Sequence, residues 1–331
     1  MREVGKCAAQ HAIRNLGRAY ASYFSDSRNP GKRRPANRPH FKRKGVRDAF
    51  RADNGTEKRR FHALKAQGKR IKIPRIGWVK MREAVRFDGR ILSVTISRRA
   101  DRWYASVVVE TTHEVPERSD SRIAGCDLGI TTFATIADEA GCWKSKAPKP
   151  LARLLPRLKR LHRACTRKVP DSRNRAKAKV KLGRLYARIT DVRNDALHQL
   201  STRLVRAYRT IGIEDLNPAG IMSNRHVSRA TGDLAFGEFR RQLSYKSAMN
   251  GTQLVIADRW FPSSKLCSAC GFIKSDLAFG QQLWTCQNCA TGHDRDENAA
   301  INLRIAASSA VTACGAEGSG PPGNGRTKPA A

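Results

Sequence analysis

The sequence predicts an α/β protein of about two domains, with a small cysteine-built module set near the end of the second. Three observations predict it. Apolar residues recur with period two from about 71 to 110, and a different pattern of short buried strands begins at Ile123. Two long leucine stripes at helical spacing interrupt those strands. Two Cys-x2-Cys pairs then stand with 15 residues between them. A length of 331 residues suits about two domains, and 40% hydrophobic content supplies at least one sizeable core.

The charge narrows the partner. Sixty-four Lys and Arg oppose 28 Asp and Glu, a net charge of +36. Charge of that size repels itself in a compact chain and calls for a polyanion. An acidic small molecule would need one local pocket, whereas this surplus is spread along the whole chain. Nucleic acid is the expected partner. No run reaches the roughly 18 apolar residues of a membrane span, and the opening MREVGKCAAQHAIRN has no apolar stretch of a secretory signal. The expectation is a cytoplasmic protein with no membrane partner, nucleoid-associated when on DNA. The nine cysteines fit a reducing compartment, where thiols bind metal or stay free.

Taken in order, Ala8, Ile13, Leu16, Ala19, Tyr20 and Tyr23 predict an amphipathic helix over 7–24. Residues 28–47 hold nine basic residues and no acidic one, broken by Pro30, Gly31, Pro35 and Pro39. They read as a loop that becomes ordered on phosphates. ILSVTIS and WYASVVVE, joined by RRADR, form a β-hairpin within a small β-rich unit, expected to be a half-open barrel. IAGCDLGI, TTFATIAD and GCWKS are three further strands. Leu151, Leu154, Leu155, Leu158 and Leu161 mark one helix, and Leu182, Leu185, Ile189, Val192, Ala196, Leu200 and Leu204 mark a second. With Pro170 and Asp171 between them they make a helical hairpin. From Arg153 to Arg193 it carries 15 basic residues against two acidic ones, so at least one face is expected to meet nucleic acid. TIGIED is the next strand, followed by a polar linker through 233, a helix over about 236–249 and the strand QLVIAD. Residues after 306 lack periodicity and predict a disordered tail.

Cys267, Cys270, Cys286 and Cys289 have the spacing of a four-cysteine zinc ribbon, with Gly271 turning the first knuckle. Four thiolates close a tetrahedron, so the expected zinc is structural. Cys7, Cys126, Cys142, Cys165 and Cys314 show no ligand spacing and read as free thiols. His293 reads as a surface residue. Three acids occupy unusual places. Asp127 sits inside an apolar strand, Glu214 ends TIGIED, and Asp296 opens a helix. From the residues alone, they are either strand ends and helix caps or converging metal ligands. Convergence would cost on the order of 4 kcal/mol per close pair at an effective dielectric near 20, and Mg²⁺, which prefers oxygen ligands, would remove that cost.

The order of these features resembles the TnpB (OrfB) proteins of bacterial insertion sequences, relatives of the type V CRISPR effector nucleases. The resemblance runs from about Ile71 to Arg304. It is carried by IPRIGWVKMRE, GCDLGITTFATIAD, STRLVRAY, TIGIEDLNPAGIM, FGEFRRQLSYKS, DRWFPSSKLCSACG, WTCQNC and HDRDENAAINL. It implies an RNase H-like RuvC nuclease domain with an inserted zinc ribbon and helical hairpin, plus an N-terminal helical and β-barrel-like domain that binds nucleic acid. The implied divisions are 1–120 for the N-terminal domain, 121–263 for the RuvC-like domain with its hairpin at 149–209, 264–292 for the ribbon, 293–306 for the last helix and 307–331 for the tail. The resemblance further implies a Mg²⁺-dependent, RNA-guided DNA endonuclease with a guide RNA and double- and single-stranded DNA as partners. Asp127, Glu214 and Asp296 match its catalytic acids. Asp215 is expected to face the other way by strand alternation, and Asp294 to cap the helix. Family members begin with a further strand and helical segment, so the N-terminal domain is expected to be incomplete. Two other readings are a non-cleaving RNA-guided DNA-binding regulator, in which the three acids would be eroded, and a transposase or its accessory.

Overall fold

The computed structural model describes residues 6–27, 38–40, 45, 48–54, 64–112, 114–278 and 280–316. Most of the Pro-broken basic segment 28–47 lies outside these residues, as does 317–331. The chain divides by packing into two units, Met1–His113 with Arg160–Ala187, and Glu114–Lys159 with Arg188–Ala331. The predicted helical hairpin is therefore shared, its far end belonging to the first unit.

In the first unit, helix α1 (Lys6–Ser27) precedes strands β1 (Ala49–Asp53), β2 (Lys65–Gln67), β3 (Arg70–Ile73), β4 (Gly77–Lys80), β5 (Arg90–Arg99) and β6 (Arg102–Glu110). The strands form two antiparallel sheets, β1-β5-β6 and β2-β3-β4. Among the described residues no ladder joins them into the expected half-open barrel. They share one apolar cluster of Ala52, Leu64, Ile71, Ile73, Ile91 and Val94. The Asn54 amide stitches across it, donating to the Leu64 and Ile91 carbonyls at 3.0 and 2.7 Å. Helix α1 forms as predicted, but its apolar stripe is not its buried face, since Ile13 and Leu16 are exposed. His11 on the helix instead contacts Asp53 of β1. The β5–β6 turn at Ala100 and Asp101 meets the far end of the hairpin: Arg184 ion-pairs with Asp101 at 2.5 Å, and Gly183 leaves room for Ala100.

The second unit is a five-stranded sheet covered on both faces. Its strands are β7 (Ile123–Leu128), β8 (Ala134–Asp138), β9 (Gly141–Ser145), β10 (Thr210–Glu214) and β11 (Gln253–Ala257), in the order β11-β10-β7-β8-β9. β10 pairs in parallel with β7 and β11, while β8 is antiparallel to β7 and β9. Parallel neighbours need long crossovers. The β7-to-β10 route runs through α2 (Pro150–Thr166) and α3 (Arg173–Ala207), and the β10-to-β11 route through α4 (Pro218–Ser223), α5 (Ser228–Leu234) and α6 (Phe236–Asn250). The segment expected as a linker thus holds two short helices. Asp233, buried at the end of α5, accepts from the Leu151 and Ala152 amides and the Arg193 guanidinium, each at about 3 Å. It satisfies the start of α2, as an acid at a helix N-terminus does.

Alternation along β7 and β10 separates two faces. Ala124, Cys126, Ile211 and Ile213 are buried with Leu197, Leu200 and Leu204 of α3 and Phe236, Phe239 and Leu243 of α6. Gly125 and Gly212, which pair across the two strands, face the final helix α7 (Arg295–Ala316). A Cβ on Gly125 would lie 1.9 Å from the Ala300 carbonyl oxygen, and one on Gly212 would lie 2.4 Å from that of Leu303. These glycines are needed for close approach rather than for backbone conformation. Helix α7 continues ten residues beyond the expected start of the tail at 307; its apolar Leu303 and Ala307 are fully buried, so packing extends the helix past the loss of periodicity. No helix among the described residues is long and apolar enough to cross a membrane.

Gly125→Ala is expected to destabilise the second unit by about 3 kcal/mol or more, since the obstructing atom is helix backbone with no rotamer to yield. A denaturant melt checks this, and a wild-type midpoint would contradict the close approach.

Candidate active site and cysteine centre

One residue beyond each glycine's core-facing neighbour, the same alternation that turns Gly125 and Gly212 toward α7 turns Asp127 and Glu214 the same way. Asp296 enters from the first turn of α7. All three side chains are half-buried. Burial, then the charges of Glu214 and Asp296, hold the Asp127 carboxyl well above the usual carboxylate range. Burial raises Glu214 as well, opposed by a hydrogen bond from Ser263 and by Arg295. Asp296 is raised by burial and Asp294, against Lys144 and Arg295. Asp127 is therefore the electrostatic neighbour of both Glu214 and Asp296. The three acids are looser than the cysteine set below, the group among the described residues whose ligand atoms all lie within 4.8 Å of one another.

The two competing acids have other partners. Asp215 is ion-paired to Arg240 and Arg259, which keep its carboxyl below the usual range. Asp294 Oδ1 accepts from the Asp296 and Glu297 amides at 3.0 and 3.1 Å, capping α7. Lys144 on β9 ion-pairs with both Asp294 and Glu297 at 2.9 Å, so the edge strand fastens the helix start that carries Asp296.

The four cysteines converge across two knuckles. Cys267 Sγ lies 3.6 Å from Cys289 Sγ, and Cys270 Sγ lies 3.7 Å from Cys286 Sγ. A four-coordinate ion about 2.3 Å from each sulfur has tetrahedron edges of about 3.8 Å, so the donor set fits a metal ion. The Gly271 amide donates to the Cys267 carbonyl and the Ala290 amide to that of Cys286, at 2.9 and 3.0 Å. Both turning residues have positive φ, +76° at Gly271 and +58° at Ala290. Hydrogen bonds with Thr291 lower the Cys289 thiol to about 6, favouring the ligating thiolate. β12 (Leu283–Thr285) and β13 (Gly292–Asp294) pair behind the second knuckle. His293, expected at the surface, is buried against Trp284, with Nε2 3.0 Å from Cys267 Sγ. Cys7, Cys126, Cys142 and Cys165 are free, as expected; the Cys314 side chain lies outside the described set.

Sequence reasoning missed several supporting residues. Ser263, buried, donates its hydroxyl to Glu214. Asn298 and Asn302 are buried one turn apart on α7. Their amides donate to the Leu266 carbonyl at 2.7 and 2.6 Å, and Asn302 also to the Ser263 carbonyl at 2.7 Å. They tie the first cysteine knuckle and the Glu214 partner to the helix that carries Asp296. Two polar residues spaced i, i+4 within the apolar run NAAINL were the available signal.

Comparison with known proteins gives a consistent pattern. The OrfB family of IS605 elements, described as "Probable transposase", matches residues 106–225, and the "Cas12f1-like, TNB domain" matches 236–303. A protein named as a candidate RNA-guided DNA endonuclease of Streptomyces pristinaespiralis is 37% identical over 95% of this chain and 74% of its own length. A similarly named InsQ of Escherichia coli K12 is 31% identical over 92% and 75%. A Mycobacterium tuberculosis counterpart is 37% identical over 80% of this chain, which spans 60% of that relative. The solved Cas12f1–sgRNA–target DNA complex aligns over 91% of this chain and 85% of its own, at 13% identity and a TM-score of 0.43. Identity of this extent, with the motifs in matching order, shows that the chain belongs to the OrfB (TnpB) family of insertion-sequence proteins.

Proposed function

We propose that this protein is a transposon-associated, RNA-guided DNA endonuclease, with a guide RNA and double- and single-stranded DNA as partners, and that Asp127, Glu214 and Asp296 are its catalytic acids. One observation carries the reading: in a chain of net charge +36, three carboxylates from distant segments gather on the single sheet face where paired glycines admit α7. Acids left to themselves would disperse among so many cations. Names given to relatives support the same activity. A sheet of order β11-β10-β7-β8-β9 with β8 alone reversed supports an RNase H-like, RuvC-type reading of the second unit. Of the expected division, 1–120, 121–263 and 264–292 are kept as proposed segments, with the far end of the hairpin grouped with the first, while the last helix extends from Arg295 to Ala316 rather than ending at 306.

The three carboxylates offer hard oxygen donors suited to Mg²⁺, and the burial that raises each of them, together with the charges of Glu214 and Asp296 acting on Asp127, is a cost that a divalent cation would relieve. When bound, the ion supplies activation of water and charge stabilisation at a phosphodiester. The chain's own residues set the stage for it. Ser263 orients the Glu214 carboxylate by donating its hydroxyl. Asp294 and Lys144 hold the first turn of α7, and Arg295 places a cation beside Asp127 and Glu214, suited to a phosphate. The four cysteines are proposed to hold structural Zn²⁺ in a ribbon over 264–292, with no side left open for substrate. Its fold then fastens Ser263 through Asn298 and Asn302.

Asp127→Asn tests the cluster. A carboxylate raised on folding begins to oppose stability as pH rises past its unfolded value near 4, the penalty is complete above its folded value, and it vanishes below the unfolded one. In EDTA at neutral pH the variant should therefore melt roughly 2–4 °C higher than the parent, as about 1 kcal/mol produces, and the gain should shrink toward pH 4. Mg²⁺ should raise the melting temperature of the parent more than that of the variant. With a cognate guide, the parent should cut target DNA and Asp127→Asn should bind it without cutting. Equal cutting by both would refute the assignment; guide and target binding by a parent that never cuts would favour a regulator.

Cys267→Ser should lower zinc from one ion per chain toward none, by elemental analysis, because structural zinc supplies roughly 10 kcal/mol or more of local folding free energy. The five-stranded sheet should persist by circular dichroism. Undiminished zinc would count against four-cysteine ligation.

A further inference from the structure

We propose that Trp260 is a stacking platform that seats an unpaired base of the DNA strand beside the carboxylate cluster; the proposal rests on reading that cluster as the nuclease centre. Trp260 is 85% exposed, the most exposed large apolar side chain among the described residues. It follows β11, whose last residue Ala257 pairs with Glu214, so it stands at the strand end that also presents the acids. Its loop is fastened along its length. Asp258 Oδ1 accepts from the Trp260 amide at 2.8 Å, and the Asp258 carbonyl accepts from the Phe261 amide at 3.0 Å. Ser263 closes the loop by bonding to Glu214. A rigid turn thus holds an indole in solvent three residues from the hydroxyl that orients Glu214.

Such exposure forfeits the burial that usually accounts for a tryptophan, and among the described residues this one makes no aromatic or cation–π contact. Its surroundings hold guanidinium groups able to exchange a carboxylate for a phosphate. Arg259 and Arg240 share the carboxylate of Asp215, so two guanidinium groups stand at this loop, balanced in charge by Asp215 and by Asp258 on the Trp260 amide. An aromatic face flanked by cations suits a nucleic-acid strand, with bases stacking and phosphates paired to the charge. A base within a duplex already has both faces stacked, so the ring takes an unpaired one. Stacking of this kind is indifferent to base identity, as a guide-directed enzyme requires of its cutting centre.

The test uses the full-length chain in EDTA with a single-stranded oligothymidylate of about 20 nucleotides carrying one 5-iododeoxyuridine. Irradiation and peptide mapping should place a cross-link on Trp260. Trp260→Ala should lose that cross-link, and Trp260→Tyr should retain one at the same position. In the guide-loaded protein, Trp260→Ala should raise KM for strand cleavage about tenfold, the effect of one lost base stack, with the larger part of the loss in KM rather than kcat, and Trp260→Tyr should restore it. Zinc content and melting temperature of both variants should match the parent. Cross-links confined to other residues, together with a parental KM for Trp260→Ala, would overturn the proposal. Those results with an inactive Asp127→Asn would leave the nuclease reading intact. A Trp260 cross-link with an Asp127→Asn that cuts normally would instead retain the stacking platform and remove the nuclease centre from these acids.

Discussion

The second unit depends on one close approach, that of α7 to the paired glycines Gly125 and Gly212. Any side chain at Gly125 would meet the Ala300 carbonyl at 1.9 Å. Because alternation turns Asp127 and Glu214 to the same face, the step that seats the helix also sets Asp296 among them. Packing and site geometry are thus one constraint. The helix meets the sheet through small residues, with Ala299, Ala300 and Ala307 fully buried, and dispersion over a short separation compensates for the lack of large side chains.

A cluster of like charges tends to push apart what that packing brings together. The opposing restraints are local and polar. Asp294 caps α7 and Lys144 bridges to it from β9, while Ser263 takes up one oxygen of Glu214. The cysteine knuckles join the same scheme, since Asn298 and Asn302 anchor Leu266 and Ser263 to α7. A metal at the cysteines would therefore stabilise the scaffold of the acids from outside their cluster. In the first unit the corresponding work falls to the shared apolar cluster and the Asn54 amide.

Much of this was legible in the sequence. Period-two runs marked β5 and β6 and leucine stripes marked α2 and α3, while β7 and β8 were marked by short apolar runs, because their sheet is covered on both faces. Cysteine spacing marked the metal centre, and motif order singled out the three acids. Less visible features were those set by tertiary contacts. Ile13 and Leu16 have helical spacing yet stay exposed, because α1 meets β1 through His11 instead. Helix α7 outlasts its pattern because alanines suffice against glycine. His293 carries no periodic signal, and its burial is decided by Trp284 and Cys267. A two-sheet arrangement cannot be told from a half-open barrel by alternation, which is the same in both.

The central claim is that Asp127, Glu214 and Asp296 form a divalent-cation site distinct from the cysteine centre. Anomalous diffraction from crystals of the protein grown with Mn²⁺ and Zn²⁺, at wavelengths that separate the two metals, tests it most directly. The account predicts manganese density among the three carboxylates and zinc density among Cys267, Cys270, Cys286 and Cys289. Manganese bound elsewhere, with none at the carboxylates, would contradict it.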